Sequence, residues 1–231
     1  MFSDPTYLLC MVPAFILMMA TTWYVNSSYR KWGRIQARSG ANGYQAAQRL
    51  IANAGLYGVQ IEGIRGNLTD HYDPRRKILR LSQGVAENPS VASLAIAAHE
   101  LGHAVQDSEN YFPLRLRAAL VPMVNIGSYL GWILIVVGLL LQMTELAWLG
   151  VLAFAGGAVF ALATLPVELN ASRRARQMLT NTGLIVGEDE QRGVNTVLNA
   201  AALTYVAALV TAVIQLLYYV SLVAGIGGRR R

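Results

Sequence analysis

The residues with the clearest chemical potential lie in one apolar stretch, "SLAIAAHELGHAVQ" at positions 93–106. His99, Glu100 and His103 form the pattern H-E-x-x-H, and the residues around them are typical of a buried helix. On a helix, positions i and i+4 are about 40° apart around the axis, so both imidazoles point the same way. Such a pair can bind one zinc ion, and Glu100 can then accept a proton from the water that zinc activates.

Burial is the main argument that these side chains bind a metal. Unpaired ionisable groups are costly to place in an apolar helix, and metal coordination relieves that cost. A core histidine satisfied by a hydrogen bond is the usual alternative, but it does not explain two histidines and a glutamate together. The chain has three histidines and a single cysteine, Cys10, which lies in another apolar run. The ligands are therefore expected to be histidine and carboxylate.

A third protein ligand is expected, because catalytic zinc usually has three. The best candidate is Glu168 in "LPVELNASRRAR" (165–176), where it follows an otherwise uncharged run. Pro166 is expected to disturb the helix there. A helix that starts near it places Glu168 and Ser172 on one face, so that Ser172 can hydrogen-bond a metal ligand. Two alternatives remain open: His71 is the other histidine, and Glu168 can instead pair with a neighbouring arginine.

Composition predicts that the chain lies in a membrane. Of its 231 residues, 54% are hydrophobic and 14% are charged, whereas an ordinary soluble domain has about 25% charged residues. Apolar runs without Lys, Arg, Asp or Glu, each close to the length that spans a bilayer, cover positions 7–25, 121–143, 146–166 and 201–226. We therefore predict a mainly α membrane protein with about four transmembrane helices. Arginines at membrane borders explain the net charge of +6, so no nucleic-acid partner is expected.

The distribution of basic residues predicts the orientation of a multi-pass protein in the cell (inner or plasma) membrane. The first run has no basic residue before it and a basic cluster at 30–38 after it, which favours an uncleaved anchor with its N-terminus outside. Residues 26–117 then lie in the cytoplasm, and so does the predicted zinc site. One feature conflicts with this topology: if the fourth run crosses once, the C-terminal "GGRRR" (227–231) lies outside.

The segment 26–117 predicts a small α+β module made of a helix, a short antiparallel sheet and the H-E-x-x-H helix. Its predicted elements are a helix over 40–56 that stops at Gly55, strands at 59–64, 66–72 and 77–82 with a hairpin around "DPRR", and a zinc helix at 90–106 capped by Asn88 or Ser90. The predicted domain order is an anchor at 1–25, this module at 26–117, transmembrane helices at 118–143 and 146–166, a third-ligand helix and loop at 167–198, a transmembrane helix at 199–226 and a basic tail at 227–231.

Four sequence blocks resemble the YugP-like family of bacterial membrane zinc metallopeptidases. They are "GNLTDHYDPRRKILRLS" (66–82), "SVASLAIAAHELGHAVQ" (90–106), "PVELNASRRA" (166–175) and "LNAAALTYVAA" (198–208). More distantly the layout is similar to HtpX and the CAAX-type prenyl proteases, gluzincin-type enzymes that join H-E-x-x-H to a later E-x-x-x-D helix. The resemblance implies that Glu168 is the third zinc ligand. It also places Ser172 where the wider group has Asp, so this chain departs from the pattern there.

Further candidates concern the substrate. His71 precedes the zinc helix in a strand whose edge can hold an extended peptide, although a structural hydrogen bond is the alternative. The zinc mechanism also needs a donor for the oxyanion, and Tyr205, His71 and Arg173 are the candidates. An interfacial aromatic position is the alternative for Tyr205.

Two functions are compatible with these patterns. The first is a membrane-integrated zinc-dependent endopeptidase that cleaves peptides or membrane proteins, with Glu100 as general base. The alternative is a zinc-binding membrane scaffold or assembly factor without peptidase turnover. The intact H-E-x-x-H favours the enzyme, because a structural zinc site usually fills all four coordination positions and has no need of Glu100.

Overall fold

The computed structural model describes residues 5–228, with side chains described as far as residue 225. Within this range the chain forms seven helices and three strands. They are α1 (Pro5–Trp32), α2 (Gly43–Asn53), β1 (Gln60–Ile64), β2 (His71–Asp73), β3 (Ile78–Ser82), α3 (Gln83–Ala86), α4 (Val91–Ser108), α5 (Phe112–Leu140), α6 (Thr144–Asn181) and α7 (Glu188–Gly228). The end of the predicted basic tail, positions 229–231, lies outside the described residues.

The described residues divide into two compact units. The helical unit comprises residues 5–21, 115–165 and 204–228, and the sheet unit comprises residues 22–114 and 166–203. The sheet unit contains β1, β2, β3 and the helices that surround them. All of the candidate metal ligands belong to this unit.

The prediction of four membrane-spanning helices is confirmed. Helices α1, α5, α6 and α7 are each long and apolar enough to cross a membrane. Two of them extend well beyond the apolar runs that predicted them, because α6 continues to Asn181 and α7 already begins at Glu188. Both helices therefore have an apolar part and a more polar part, and the polar part of α6 carries Glu168.

The expectation that a new helix starts near Pro166 is wrong, since α6 runs unbroken from Thr144 to Asn181. Proline removes one backbone donor and crowds the preceding turn, but helices of membrane proteins often accommodate it. The turn before Pro166 contains Thr164, whose Oγ donates a hydrogen bond to the Phe160 carbonyl at 2.8 Å. As a result, Glu168 lies in the middle of a long helix and not near its start.

Small residues allow α5 and α6 to approach closely within the helical unit. A Cβ at Gly131 would lie 2.8 Å from the Gly150 carbonyl oxygen, and one at Gly138 would lie 2.5 Å from the Ala147 nitrogen. Helices in a bilayer gain little from burying apolar surface against each other, so close packing through small residues is a main source of their association. The α5–α6 hairpin is held together in this way.

The sheet of the sheet unit has the strand order β1-β3-β2 and is mixed. The predicted hairpin is confirmed, because β2 and β3 are antiparallel. The prediction of a wholly antiparallel sheet is wrong, because β1 pairs with β3 in parallel, with Ile64 opposite Ser82.

The segment from 65 to 70 explains this topology, since it carries the chain past the end of β3 to the far edge of the sheet. Asp70 closes that crossing by accepting hydrogen bonds from the backbone nitrogen of Ser82 at 2.7 Å and from its hydroxyl at 3.0 Å. β3 therefore lies in the centre, and β2 is an edge strand.

Capping residues define the helices around the sheet. Asn42 and Gln45 form a reciprocal capping box at the start of α2, and Gly55 follows its end with φ +67°. Of the two proposed caps of the H-E-x-x-H helix, Ser90 is the one used, because its side chain accepts from the Ser93 nitrogen. α4 runs from Val91 to Ser108, close to the predicted bounds.

The core of the sheet unit surrounds α4. Most residues of this helix are buried, among them Leu94 and Leu101. They pack with Leu50 of α2, Leu79 of β3 and Leu179 of α6. This packing fixes the rotation of α4 about its axis, and with it the direction of the three polar side chains near the middle of the helix.

Candidate metal centre

The H-E-x-x-H residues lie in the middle of α4. The rings of His99 and His103 are 5.0 Å apart between centroids and nearly perpendicular, at 84°. Both side chains are mostly buried, with 12% of each exposed. The helix therefore presents two imidazoles to one point, as the i, i+4 spacing predicts.

Glu168 of α6 meets these imidazoles. Its carboxylate is 1% exposed, and Oε2 lies 3.2 Å from Nε2 of His99 and 3.5 Å from Nε2 of His103. One ligand atom from each of the three residues lies within 4.8 Å of the other two. Two donors on one tetrahedral zinc, at bond lengths of about 2.0–2.2 Å, are separated by roughly 3.4 Å. The nitrogen–oxygen distances fit zinc.

Hydrogen bonds at the far side of each ring orient the imidazoles. His99 Nδ1 lies 3.2 Å from the hydroxyl of Ser172, and His103 Nδ1 lies 3.0 Å from Oε1 of Gln106. Metal-binding histidines usually have an oxygen partner at this second nitrogen, which fixes the tautomer. Ser172 thus hydrogen-bonds His99 although the wider protease group has a carboxylate at this position.

The tautomer of His103 follows from the surroundings of Gln106. Gln106 is fully buried, and its Nε2 donates to the carbonyl of Val167 at 2.8 Å and to Oδ1 of Asn170 at 2.9 Å. A backbone carbonyl can only accept, so the amide nitrogen must face Val167 and Oε1 must face His103. His103 Nδ1 then carries the hydrogen, which leaves Nε2, 3.5 Å from Oε2 of Glu168, as the ring atom that would bind a metal.

Glu100 lies next to the three ligands but has a separate partner. Its Oε2 accepts a hydrogen bond from the backbone nitrogen of Tyr72 in β2, at 3.2 Å. None of the described residues donates a hydrogen bond to its other oxygen, Oε1. Burial raises the pKa of the Glu100 carboxyl; His99 and His103 oppose this, whereas the charges of Glu168 and Asp70 act in the same direction.

Gly102 lets α4 and α6 approach at the site. A Cβ at this position would lie 2.5 Å from the backbone oxygen of Ala171 and 3.0 Å from its Cα. Backbone atoms cannot turn away as a side chain can. Close packing at Gly102 therefore holds the glutamate of α6 against the histidines of α4.

Replacing Gly102 with alanine should destabilise the protein and weaken metal binding. Alanine favours a helix by about 1 kcal/mol over glycine, but the added methyl must push the two helices apart. Overpacking of this kind typically costs about 1–3 kcal/mol. The measurement is the unfolding midpoint of the purified protein in detergent, with its zinc affinity.

Gly156→Ala is the matched control, because Gly156 lies in α6 with nothing within 4 Å of the added Cβ. It should leave both quantities unchanged or raise the stability slightly. Equal midpoints and zinc affinities for the two variants would contradict the packing role of Gly102.

Two further sequence candidates, His71 and Tyr205, are not among the three candidate metal ligands. His71 is in β2, where Nδ1 donates to the Thr69 carbonyl at 2.9 Å and Nε2 accepts from Arg80 at 3.3 Å. These contacts are structural hydrogen bonds, which was the alternative for His71. Tyr205 lies in α7, in the helical unit. The substrate or oxyanion roles of both residues stay predictions.

Sequence reasoning missed Gln106, Asn170 and Tyr72. Gln106 and Asn170 carried a signal, because each is a polar residue within a turn of a proposed ligand and inside a sequence block of the family. Tyr72 carried no signal, because the contact to Glu100 comes from its backbone nitrogen, which every residue except proline has, and because its position depends on the strand order. The contacts of these residues, and not their types alone, connect them to the site.

A membrane protein whose H-E-x-x-H helix meets a glutamate from a later helix has the features of a membrane zinc metallopeptidase. The comparison with known proteins agrees. The sequence model of the family described as "Putative neutral zinc metallopeptidase" matches residues 7–224, and the chain belongs to this family. It is also 44% identical over 196 residues to the "Putative membrane protease YugP" of Bacillus subtilis (strain 168). The aligned region covers 85% of this chain and 87% of that protein. No solved structure matches it.

Proposed function

We propose that this protein is an endopeptidase that holds one zinc ion at His99, His103 and Glu168 and uses Glu100 as general base. The position of Glu100 carries the proposal, because its carboxylate adjoins the candidate ligands while its own hydrogen bond comes from Tyr72. A structural zinc site usually fills all four positions with protein ligands. Here three protein ligands would leave the fourth coordination position for water or substrate, with the Glu100 carboxylate next to it.

The donor set matches catalytic zinc. Two imidazoles and one carboxylate are the ligands of a well-known class of zinc peptidases. When bound, zinc supplies Lewis acidity, which makes a water nucleophilic near neutral pH and polarises a carbonyl group. Ser172 and Gln106 keep both imidazoles turned towards Glu168 by holding the far ring nitrogens.

Glu100 is suited to move the proton. The Tyr72 nitrogen fixes Oε2 and so orients the carboxylate, which leaves Oε1 to accept a proton from the attacking water. The protonated carboxyl can then give that proton to the nitrogen of the leaving amine. A base held by a backbone donor keeps its orientation without competing for the metal.

The edge of β2 supports a binding mode for the substrate. The Tyr72 nitrogen donates to Glu100 and therefore points away from β3. In an antiparallel pair the carbonyl of the same residue points to the same side, so the Tyr72 carbonyl also faces away from β3. Its nitrogen is already bonded to Glu100, so an extended peptide added along this edge would take its hydrogen bond at the Tyr72 carbonyl. In this proposal His71 lies near the substrate, and the oxyanion donor is Tyr205, Arg173 or His71, whose ring would have to release the Thr69 carbonyl first.

The proposed partners are a peptide or membrane-protein substrate and the lipid bilayer, without nucleic acid. The proposed location is the cell (inner or plasma) membrane with several crossings and the active site on the cytoplasmic side. The basic cluster at 30–38, directly after the first apolar run, supports this orientation.

Removal of the metal tests the proposal. The full chain, purified in detergent, is assayed for zinc content and for cleavage of casein before chelation, after chelation and after zinc is restored. We expect about one zinc per chain, loss of cleavage with the chelator and recovery with zinc, because the activity requires the Lewis acid. Added Mg²⁺ is the control and should not restore cleavage, because it prefers oxygen ligands in octahedral geometry.

Two results would contradict the proposal. Absence of bound zinc, or cleavage that survives complete chelation, would exclude a zinc peptidase. Stable zinc binding without cleavage of casein or of co-reconstituted membrane proteins would favour the scaffold or assembly factor.

A further inference from the structure

A cavity of about 490 Å³ lies beside the C-terminal half of α4, in the sheet unit. Its wall is formed by three parts of the chain: the turn after α2 at 55–59, the β2–β3 hairpin, and the end of α4 with Ala104 and Asp107. This volume is in the range of about 300–1,000 Å³ that is typical of ligand sites. The metal ligands do not line it, so it is a separate feature.

Tyr72 connects this cavity to Glu100. Its backbone nitrogen donates to Glu100, and its phenol lines the cavity and donates to Oδ2 of Asp107 at 3.0 Å. Asp107 is seven residues after Glu100, which corresponds to nearly the same face of α4 and a rise of about 10 Å. A peptide held beside Glu100 can therefore place a long side chain in the cavity.

The polar groups of the wall indicate what such a side chain would be. Asp107 is half-buried, and the only hydrogen bond described for its carboxylate is the one from Tyr72 to Oδ2. The second carboxylate oxygen is available to a donor, and a cationic donor makes the stronger contact with a carboxylate. Lys77 and Tyr57 are exposed residues at the same cavity. The ammonium of Lys77 is strongly hydrated on a flexible stem and can remain in water.

We propose that this cavity is a specificity pocket that binds an Arg or Lys side chain of the peptide substrate, close to the cleaved bond, with Asp107 as the specificity-determining residue. The inference rests on the proposed peptidase function and adds the substrate class to it. Ala104 provides room next to His103, and the carboxylate lies further along the same face of α4.

Cleavage of a peptide library tests the pocket. The full chain in detergent is incubated with decapeptides randomised at the six central positions, and the products are identified by mass spectrometry. We expect Arg and Lys to be preferred over Leu and Glu at one position near the cleaved bond. Asp107→Asn should reduce the Arg-over-Leu preference by about tenfold, because it removes a charge-assisted hydrogen bond but leaves an acceptor for Tyr72.

Two control variants separate the charge of Asp107 from other effects. Glu188→Gln removes one exposed carboxylate at the start of α7, away from the cavity, and should leave the preference and the total rate unchanged. Lys77→Ala should keep or increase the preference for Arg. An acidic preference that is lost in Lys77→Ala would assign the cavity to the opposite charge and overturn the proposal.

A binding measurement distinguishes failure of the pocket from failure of the peptidase. Fluorescent forms of an Arg-containing and a Leu-containing decapeptide are titrated with Glu100→Gln protein and with the Glu100→Gln/Asp107→Asn double variant. We expect the first protein to bind the Arg peptide about tenfold more tightly than the Leu peptide, and the second to bind both alike. If wild type cleaves no peptide but this preference holds, only the peptidase proposal fails. If cleavage occurs and Asp107→Asn leaves selectivity unchanged, the pocket is wrong.

Discussion

Replacing Glu100 with glutamine is expected to abolish peptide cleavage while leaving the protein folded and loaded with zinc. Glutamine has nearly the same shape, and its amide oxygen can still accept the hydrogen bond from the Tyr72 nitrogen. Its neutral amide cannot take a proton from the attacking water. General base catalysis of this kind typically contributes about 10²- to 10⁴-fold, and we expect the rate of casein cleavage to fall by that factor.

The informative measurement combines rate with metal content for the same preparation. Zinc per chain should equal that of wild type, because Glu100 is not among the three candidate ligands. Glu87→Gln is the matched control, since Glu87 is an exposed carboxylate of the sheet unit at the end of α3. Cleavage at the wild-type rate by Glu100→Gln would exclude Glu100 as the base, and loss of zinc would make it a ligand instead.

Local spacing was enough to predict most of the candidate site. The i, i+4 interval places His99 and His103 on one face of α4, because helical geometry alone decides this. Glu168 could be proposed because it is a carboxylate directly after an uncharged run, and the family resemblance then favoured it as a ligand. The structure brings the three together, with Glu168 Oε2 within 3.5 Å of both imidazoles.

Features that depend on the order of elements in space could not be predicted from the sequence. Alternation of apolar and polar residues predicts strands, but it does not say that β3 lies between β1 and β2. The crossing at 65–70, closed by Asp70 and Ser82, decides that order. The contact between Tyr72 and Glu100 follows from it, because only an edge strand can offer its backbone nitrogen to α4.

Pro166 illustrates the opposite error, in which a local rule was given too much weight. One missing backbone donor was expected to interrupt α6, yet the remaining hydrogen bonds of a 38-residue helix keep it continuous. The consequence is functional, since a single helix carries both an apolar segment able to span a membrane and the proposed ligand Glu168. We therefore expect insertion of α6 and assembly of the zinc site to depend on each other.

Replacing Glu168 with glutamine is expected to abolish zinc binding. The carboxylate is the one anionic group among the three candidate ligands, and it is 1% exposed between two imidazoles. An amide is a much poorer zinc ligand than a carboxylate or imidazole. Loss of an outer hydrogen-bond partner already lowers metal affinity by about 10- to 100-fold, so loss of a direct ligand should exceed this range. Competition with a chromophoric chelator measures the affinity without any assay of cleavage.

Glu145→Gln is the matched control on the same helix, because Glu145 is an exposed residue in the first turn of α6. It should bind zinc as wild type does. The unfolding midpoints of metal-free wild type and metal-free Glu168→Gln should be compared as well, so that a change in affinity is separated from a change in folding. Wild-type affinity in a folded Glu168→Gln protein would exclude Glu168 as a ligand, and His71 would then be the next histidine to test.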